Sequence, residues 1–140
     1  MGTPARTPDH LKKVVVGFLN GGRIKGYVYD FSVLDDSFDL LPQEDPLQGE
    51  GIKVEMKDLK AVFFVWDFSG NPEHSGFLRP NASMDGRIIE VTFTDGERIV
   101  GRTEGHIPQK LGFFMFPAEP RSNNIRIFVV TKNTRQIKLI

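Results

Sequence analysis

The densest set of groups able to grip an anion lies near the C-terminal end: Arg121, Ser122, Asn123, Asn124 and then Arg126. Two guanidiniums flanking side-chain amides suit bidentate contact with a phosphate or a carboxylate. The same Ser and Asn also suit a loop that leads into a strand. Lys12, Lys13 and Arg23 are the cations that would extend such a site. Other reactive types are scattered. His10, His74 and His106 fall in a tail, a linker and a loop, with no spacing that brings two onto one metal. No metal site and no cofactor are expected. Asp35-Asp36 and Glu44-Asp45 would work as acid and base only inside a closed pocket, and read as solvated loop charge. Gly21-Gly22 and Gly26 lack the Gly-Lys-Ser/Thr and the helix of a phosphate loop, so they read as turn and bulge glycines. Asn81-Ala82-Ser83 matches a glycosylation sequon by form alone. No Ser–His–Asp, Cys–His or paired-carboxylate set stands out, and the chain is not expected to be an enzyme.

The elements that hold these residues follow from composition and pattern. The 140 residues are 39% hydrophobic, the size of one ordinary domain or two very small ones. Eighteen basic residues balance eighteen acidic ones. A protein that coats nucleic acid usually carries a basic excess, so bulk charge argues against that class, although a local patch can hide in the average. The absence of Cys excludes disulfide scaffolds, thiol catalysis and thiolate zinc sites. No apolar run is long enough to span a membrane, and Met1–Lys12 has no apolar leader region, so the expected location is the cytoplasm. Twelve Phe against two Tyr and one Trp point to cores and hidden interfaces.

An offset of 75 residues aligns the chain with itself. It pairs Val16 with Val91, Phe18 with Phe93, Gly21 with Gly96, Arg23-Ile24 with Arg98-Ile99 and Gly26 with Gly101. It also pairs Phe38 with Phe113, Pro42 with Pro117, Glu44 with Glu119, Ile52 with Ile127, Val54 with Val129 and Lys57 with Lys132. These are twelve identities over residues 14–65, where chance gives roughly three. The reading is an internal duplication.

Each half reads as five short strands. Val14, Val16 and Phe18 alternate before the turn signal Asn20-Gly21, and Asp95-Gly96 repeats that signal after Ile88–Phe93. Gly26 marks a bend in the second strand. Strands follow at Ser37–Leu41, Ile52–Met56 and Lys60–Trp66, and in the second half at Ile99, Phe113–Phe116, Ile125–Val130 and Arg135–Ile140. Helix is limited to a turn within Pro8–Lys13. The expected class is all-β: two tandem five-stranded small β-barrels of Sm-like or SH3-like type. The divisions are a tail at 1–11, a first barrel at 12–66, a linker at 67–85 and a second barrel at 86–140.

Ala61-Val62-Phe63-Phe64-Val65-Trp66 is apolar at every position, so both faces of that strand must be covered. Phe113–Phe116 and Ile127–Val130 are also two-sided. Val62, Phe63, Phe64, Val65, Trp66, Phe114 and Phe116 are therefore the candidate interface, joining the halves or joining two chains.

The segment from Val14 through Gly26, followed by Asp30 and Phe38-Asp39-Leu40, is similar to the first motif of the Sm-like barrel. Met56–Val65 resembles its final strands. The chain as a whole, over residues 12–66 and 86–140, resembles an uncharacterised bacterial family of tandem Sm-like repeats, sometimes found beside PilZ modules. Its strings resemble Leu59–Val65, Gly112–Pro117 and Ser122–Val129. RNA-binding Sm proteins carry an Arg-Gly pair between strands four and five, where this chain has Lys57-Asp58 and Lys132-Asn133. Asp30-Phe31-Ser32 is similar to the start of the PilZ dinucleotide motif, but its glycine position is Asp35.

The functional expectation is a non-catalytic adaptor, with a protein partner or self-association through edge strands. Second comes an Sm-type RNA or nucleotide binder using Arg121, Asn123, Asn124 and Arg126. A regulatory domain for a small anion such as a cyclic dinucleotide is third.

Overall fold

Alternation sets the strands. In the computed structural model, which describes residues 8–69, 87–103, 111–117 and 122–140, Val14 and Val16 are wholly buried while Lys12 and Lys13 are exposed. A 3-10 turn at Pro8–His10 leads into β1 (Leu11–Phe18). Then come β2 (Arg23–Tyr29), β3 (Ser37–Leu40), β4 (Ile52–Glu55), a 3-10 turn at Met56–Asp58 and β5 (Leu59–Val65). The second half holds β6 (Arg87–Phe93), β7 (Arg98–Thr103), β8 (Gly112–Pro117), β9 (Asn124–Val130), a 3-10 turn at Thr131–Asn133 and β10 (Thr134–Leu139). The chain is all-β, and no α-helix occurs among the described residues. Hence none there is long and apolar enough to cross a membrane.

The expected pair of closed barrels is not what forms. Eight strands join one open antiparallel sheet in the order β10-β6-β7-β8-β9-β5-β1-β2, and β3 and β4 make a separate hairpin. A single bridge, Tyr27 to Leu41, ties that hairpin to β2. The reason lies at the middle of the sheet. Besides pairing with β1 of its own half, β5 pairs along its length with β9 of the other, from Ala61↔Val129 to Val65↔Asn124. With β1 on its other side, both of its edges are taken. The boundary expected between two separate barrels is therefore a continuous ladder. The linker expected at 67–85 lies mostly outside the described residues.

Elements keep the 75-residue spacing nonetheless. β2 and β7 start at Arg23 and Arg98, β3 and β8 at Ser37 and Gly112, β5 and β10 at Leu59 and Thr134. Gly21 and Gly96 both sit in the left-handed region, with φ of 91° and 96°, at the two hairpin turns. A Cβ on Gly26 would stand 2.6 Å from the Leu41 carbonyl oxygen, and one on Gly101 would collide with the Phe116 carbonyl.

Two cores lie on opposite faces of the central strands. Val62 and Phe64 of β5, with Phe128 and Val130 of β9, join Val14, Val16, Val28, Leu40 and Met56 in the first. The alternate residues Ala61, Phe63, Val65, Ile127 and Val129 join Val91, Phe93 and Met115 in the second. Strand period two sends successive side chains to opposite faces, which is how one ladder serves two cores. All seven positions of β5 are buried as a result.

Candidate functional site

Cations gather at one end of the first core. Arg126 faces Phe64 across the β5–β9 ladder. Its guanidinium carbon lies 4.7 Å from the Phe64 ring centre and 4.3 Å from that of Phe114. Those rings pack in turn against Phe128 and Phe31, with centroids 5.2–5.5 Å apart, so Arg126 is the polar lid of an aromatic cluster. It is half-buried, and burial pulls its pKa below the usual arginine value. No carboxylate among the described residues pairs with it.

Above Arg126 lies an open cleft of about 730 Å³. Lys12 and Lys13 of β1 line it with Arg126, and so do Trp66, Tyr27 and Leu47. Its other walls are Pro8, Leu11, Pro46, Phe64, Val65 and Ile125, with no acidic residue among them. Tyr27 is held edge-on against Phe68 at 5.2 Å, and Trp66 keeps 36% of its surface exposed. Lys12 follows the same strand alternation as Val14 and Val16, two and four residues on. It therefore emerges where the first core ends.

The other residues singled out in the sequence go elsewhere. Asn123 is spent on the backbone: its amide donates to the Asp67 carbonyl at 2.8 Å, its Oδ1 accepts from the Asp67 amide at 3.2 Å, and its carbonyl accepts from Trp66. This clamp positions Trp66 at the cleft. Ser122 Oγ accepts from the Asn124 amide, a local turn that starts β9. Arg121 lies outside the described residues, as do His74, His106 and Asn81–Ser83. Arg23 is far from the cleft by register, opposite Gly17, and it stacks on Phe63 at 5.3 Å and pairs with Glu97 at 3.4 Å. Asp30 sits at φ 58° in a bend, and Ser32 Oγ accepts from the Leu34 amide at the turn that follows, while Phe31 packs against the first core. His10 makes an edge contact with Tyr29. Among the described residues no three His, Cys, Asp or Glu gather at metal-binding distance.

Of the apolar interface candidates, Val62, Phe63, Phe64 and Val65 are buried inside the molecule between the two cores. Phe114 packs on the first core, and Phe116 is half-buried opposite Arg102. Part of the apolar surface left open lies at the sheet edges, besides Leu34 in a loop and Val100 on β7. Among the described residues β10 pairs only with β6, and β4 only with β3. Ile52 on β4 is 52% exposed, and Ile137 and Leu139 on β10 are each 41% exposed.

Residues 10–140 match the model of a family of unknown function, DUF6982. The chain belongs to that family. The match covers both halves and the ten strands of the described residues, so the joined sheet lies within one family match. No curated protein and no solved structure matches the chain.

Sequence reasoning named Lys12 and Lys13 as extensions of an Arg126 site but missed the cleft itself and its walls of Tyr27, Leu47 and Trp66. One further signal was in the strand: Arg126 interrupts an apolar run at a position that faces the core, and a half-buried cation there needs an opening.

Proposed function

We propose that the chain is a non-catalytic interaction module. In this reading it holds two copies of one small Sm-like strand unit, fused into one sheet, and its outer edges pair with a second copy of the chain. The observation that supports it is the β5–β9 ladder. There the fifth strand of one half accepts the fourth strand of the other. Shifting each partner by 75 residues in opposite directions converts that pair into β10 and β4, the two edges without a second partner among the described residues.

The same register makes a specific contact list. Ala61↔Val129 becomes Gln136 opposite Val54 of the next chain, and Ile137 and Lys138 then face Lys53 and Ile52. One step the other way, Arg135 meets Glu55, a pair of opposite charge that is exposed on both strands. Exposed Ile52, Ile137 and Leu139 would be covered. Such contact is head-to-tail, so it closes into a ring or runs on as a filament. Edge strands with unpaired amides and carbonyls favour this addition, and their Lys and Arg side chains restrict it to the right register.

Size-exclusion chromatography with light scattering, from about 1 to about 100 µM protein, tests the reading. It predicts an oligomer that dissociates on dilution. Arg135→Glu should weaken assembly about fivefold, and adding Glu55→Arg should restore it. A strict monomer at the highest concentration overturns the proposal.

A further inference from the structure

The cleft above Arg126 has walls whose chemistry limits what could fill it. Three cations line it, with no acidic residue among the described lining residues. Lys12, Lys13 and Arg126 form no ion pair among the described residues. In a chain whose net charge is zero, three cations gathered in one concavity are a local positive field that attracts an anion. Arg126 adds direction. Its guanidinium lies over the rings of Phe64 and Phe114, so its donors are pre-set and lose little freedom on binding a phosphate or carboxylate.

An inorganic anion alone would satisfy the cations and leave the rest of the wall unused. That wall is apolar and aromatic, with Leu47, Ile125, Tyr27 and Trp66 around the cations. A neutral apolar molecule would cover the wall and trap Arg126 without a counter-charge, which is costly for a half-buried cation. The volume of about 730 Å³ falls in the range of small-molecule sites. We infer that the cleft binds a small organic anion that joins a phosphate to a flat ring, the chemistry of a nucleoside monophosphate. The phosphate meets Arg126 and Lys12, and the ring lies along Trp66. The site stands apart from the β4 and β10 edges, so it holds or fails independently of the assembly.

The molecule carries its own reporter, because Trp66 is the single tryptophan of the chain and lines this cleft. The experiment titrates the whole protein with adenosine monophosphate at low salt and reads tryptophan fluorescence. Adenosine and ribose 5-phosphate are titrated separately. A saturable change with the monophosphate, at least about tenfold weaker with either fragment, is expected, since each fragment loses one set of contacts. Arg126→Gln should weaken binding about tenfold or more, and Lys12→Gln about threefold. Circular dichroism checks that Arg126→Gln is folded. If it is not, the double variant Lys12→Gln, Lys13→Gln, exposed at both positions, takes its place. No saturable change with the monophosphate, an equal response to adenosine, or unchanged affinity in the folded variants would each overturn the inference.

Discussion

Strands β5 and β10 occupy the same place in the two halves, 75 residues apart, and meet opposite fates. β5 is buried at all seven positions, while β10 is exposed from Arg135 to its end. Each pairs with the first strand of its own half, β1 or β6. The difference is the second neighbour. β5 has β9 along its other edge and a core on each face, so Phe64 is 3% exposed. Leu139, at the matching position, is 41% exposed. Burial of a strand thus depends on what stands beside it, and the residue choice follows. Phe-Phe-Val in β5 answers to Lys-Leu-Ile at the end of the chain.

The largest test of this contrast deletes the matching side chains. Phe64→Ala should cost about 3–5 kcal/mol of stability in urea, the usual loss for a buried Phe. Leu139→Ala should cost under about 1 kcal/mol in dilute protein. Equal losses would mean that β10 is covered as fully as β5.

Next is the basic residue near the start of each strand. Lys60 is buried, with its ammonium 2.9 Å from Asp95 Oδ2 and in short contact with Glu97, while Arg135 is exposed. Lys60→Ala should cost about 2 kcal/mol, and Arg135→Ala almost nothing. The cluster also sets a pH window. The hydrogen bond from Lys60, then that from the Glu97 amide, hold the Asp95 pKa below the usual value. Its stabilisation is present above the unfolded carboxylate pKa of about 4 and is lost as pH falls further. For Lys60, burial works against the charge, but hydrogen bonds and charges from Glu97 and Asp95 outweigh it and raise the pKa. That stabilisation is present below about pH 10 and is lost as pH rises through the folded value. Acid denaturation from pH 5 to 2 should therefore weaken the natural chain more than Lys60→Ala. Parallel curves would place the pair outside the folding energetics.

Asn133 probes how the halves are stitched. Its amide donates to the carbonyls of Lys57 and Leu59 at 3.0 and 2.8 Å, across the join. At the matching place in the first half stands Asp58, which is exposed. Asn133→Ala should cost about 1–2 kcal/mol by leaving buried carbonyls unpaired, and Asp58→Ala less than about 0.5 kcal/mol. Hydrogen exchange at Leu59–Val65 should rise in the Asn133 variant alone.

The smallest effect concerns Arg23 and Glu97, an exposed pair at 3.4 Å. Arg23→Ala should change stability by about 0.5 kcal/mol, and added salt should erase the difference.

Much of the local structure was legible. Asn20-Gly21 and Asp95-Gly96 announced hairpin turns, and both glycines adopt the left-handed backbone that such turns require. The unbroken apolar run from Ala61 implied cover on both faces, and Ala61–Val65 lie between two cores. Closure was misjudged for a physical reason. Alternation and turn residues act within one hairpin, whereas the choice of β9 over β4 as the neighbour of β5 is a long-range competition with no local signature. The cleft was legible only in part. Lys12 and Lys13 were grouped with Arg126, but Ser122 and Asn123, read as ligand groups, hold backbone, Arg23 lies elsewhere, and the aromatic walls had no local signal.

The amino-acid sequence by itself determined ten strands, their turns, the absence of thiol chemistry and which strands must be covered twice. These depend on side-chain period, glycine conformations and residue type, all local properties. Only the tertiary structure decided that the sheet stays open, that β5 is interior while β10 is an edge, and that three cations share one cleft. Those outcomes depend on which distant strand reaches a free edge, and that is settled by packing two cores against one ladder.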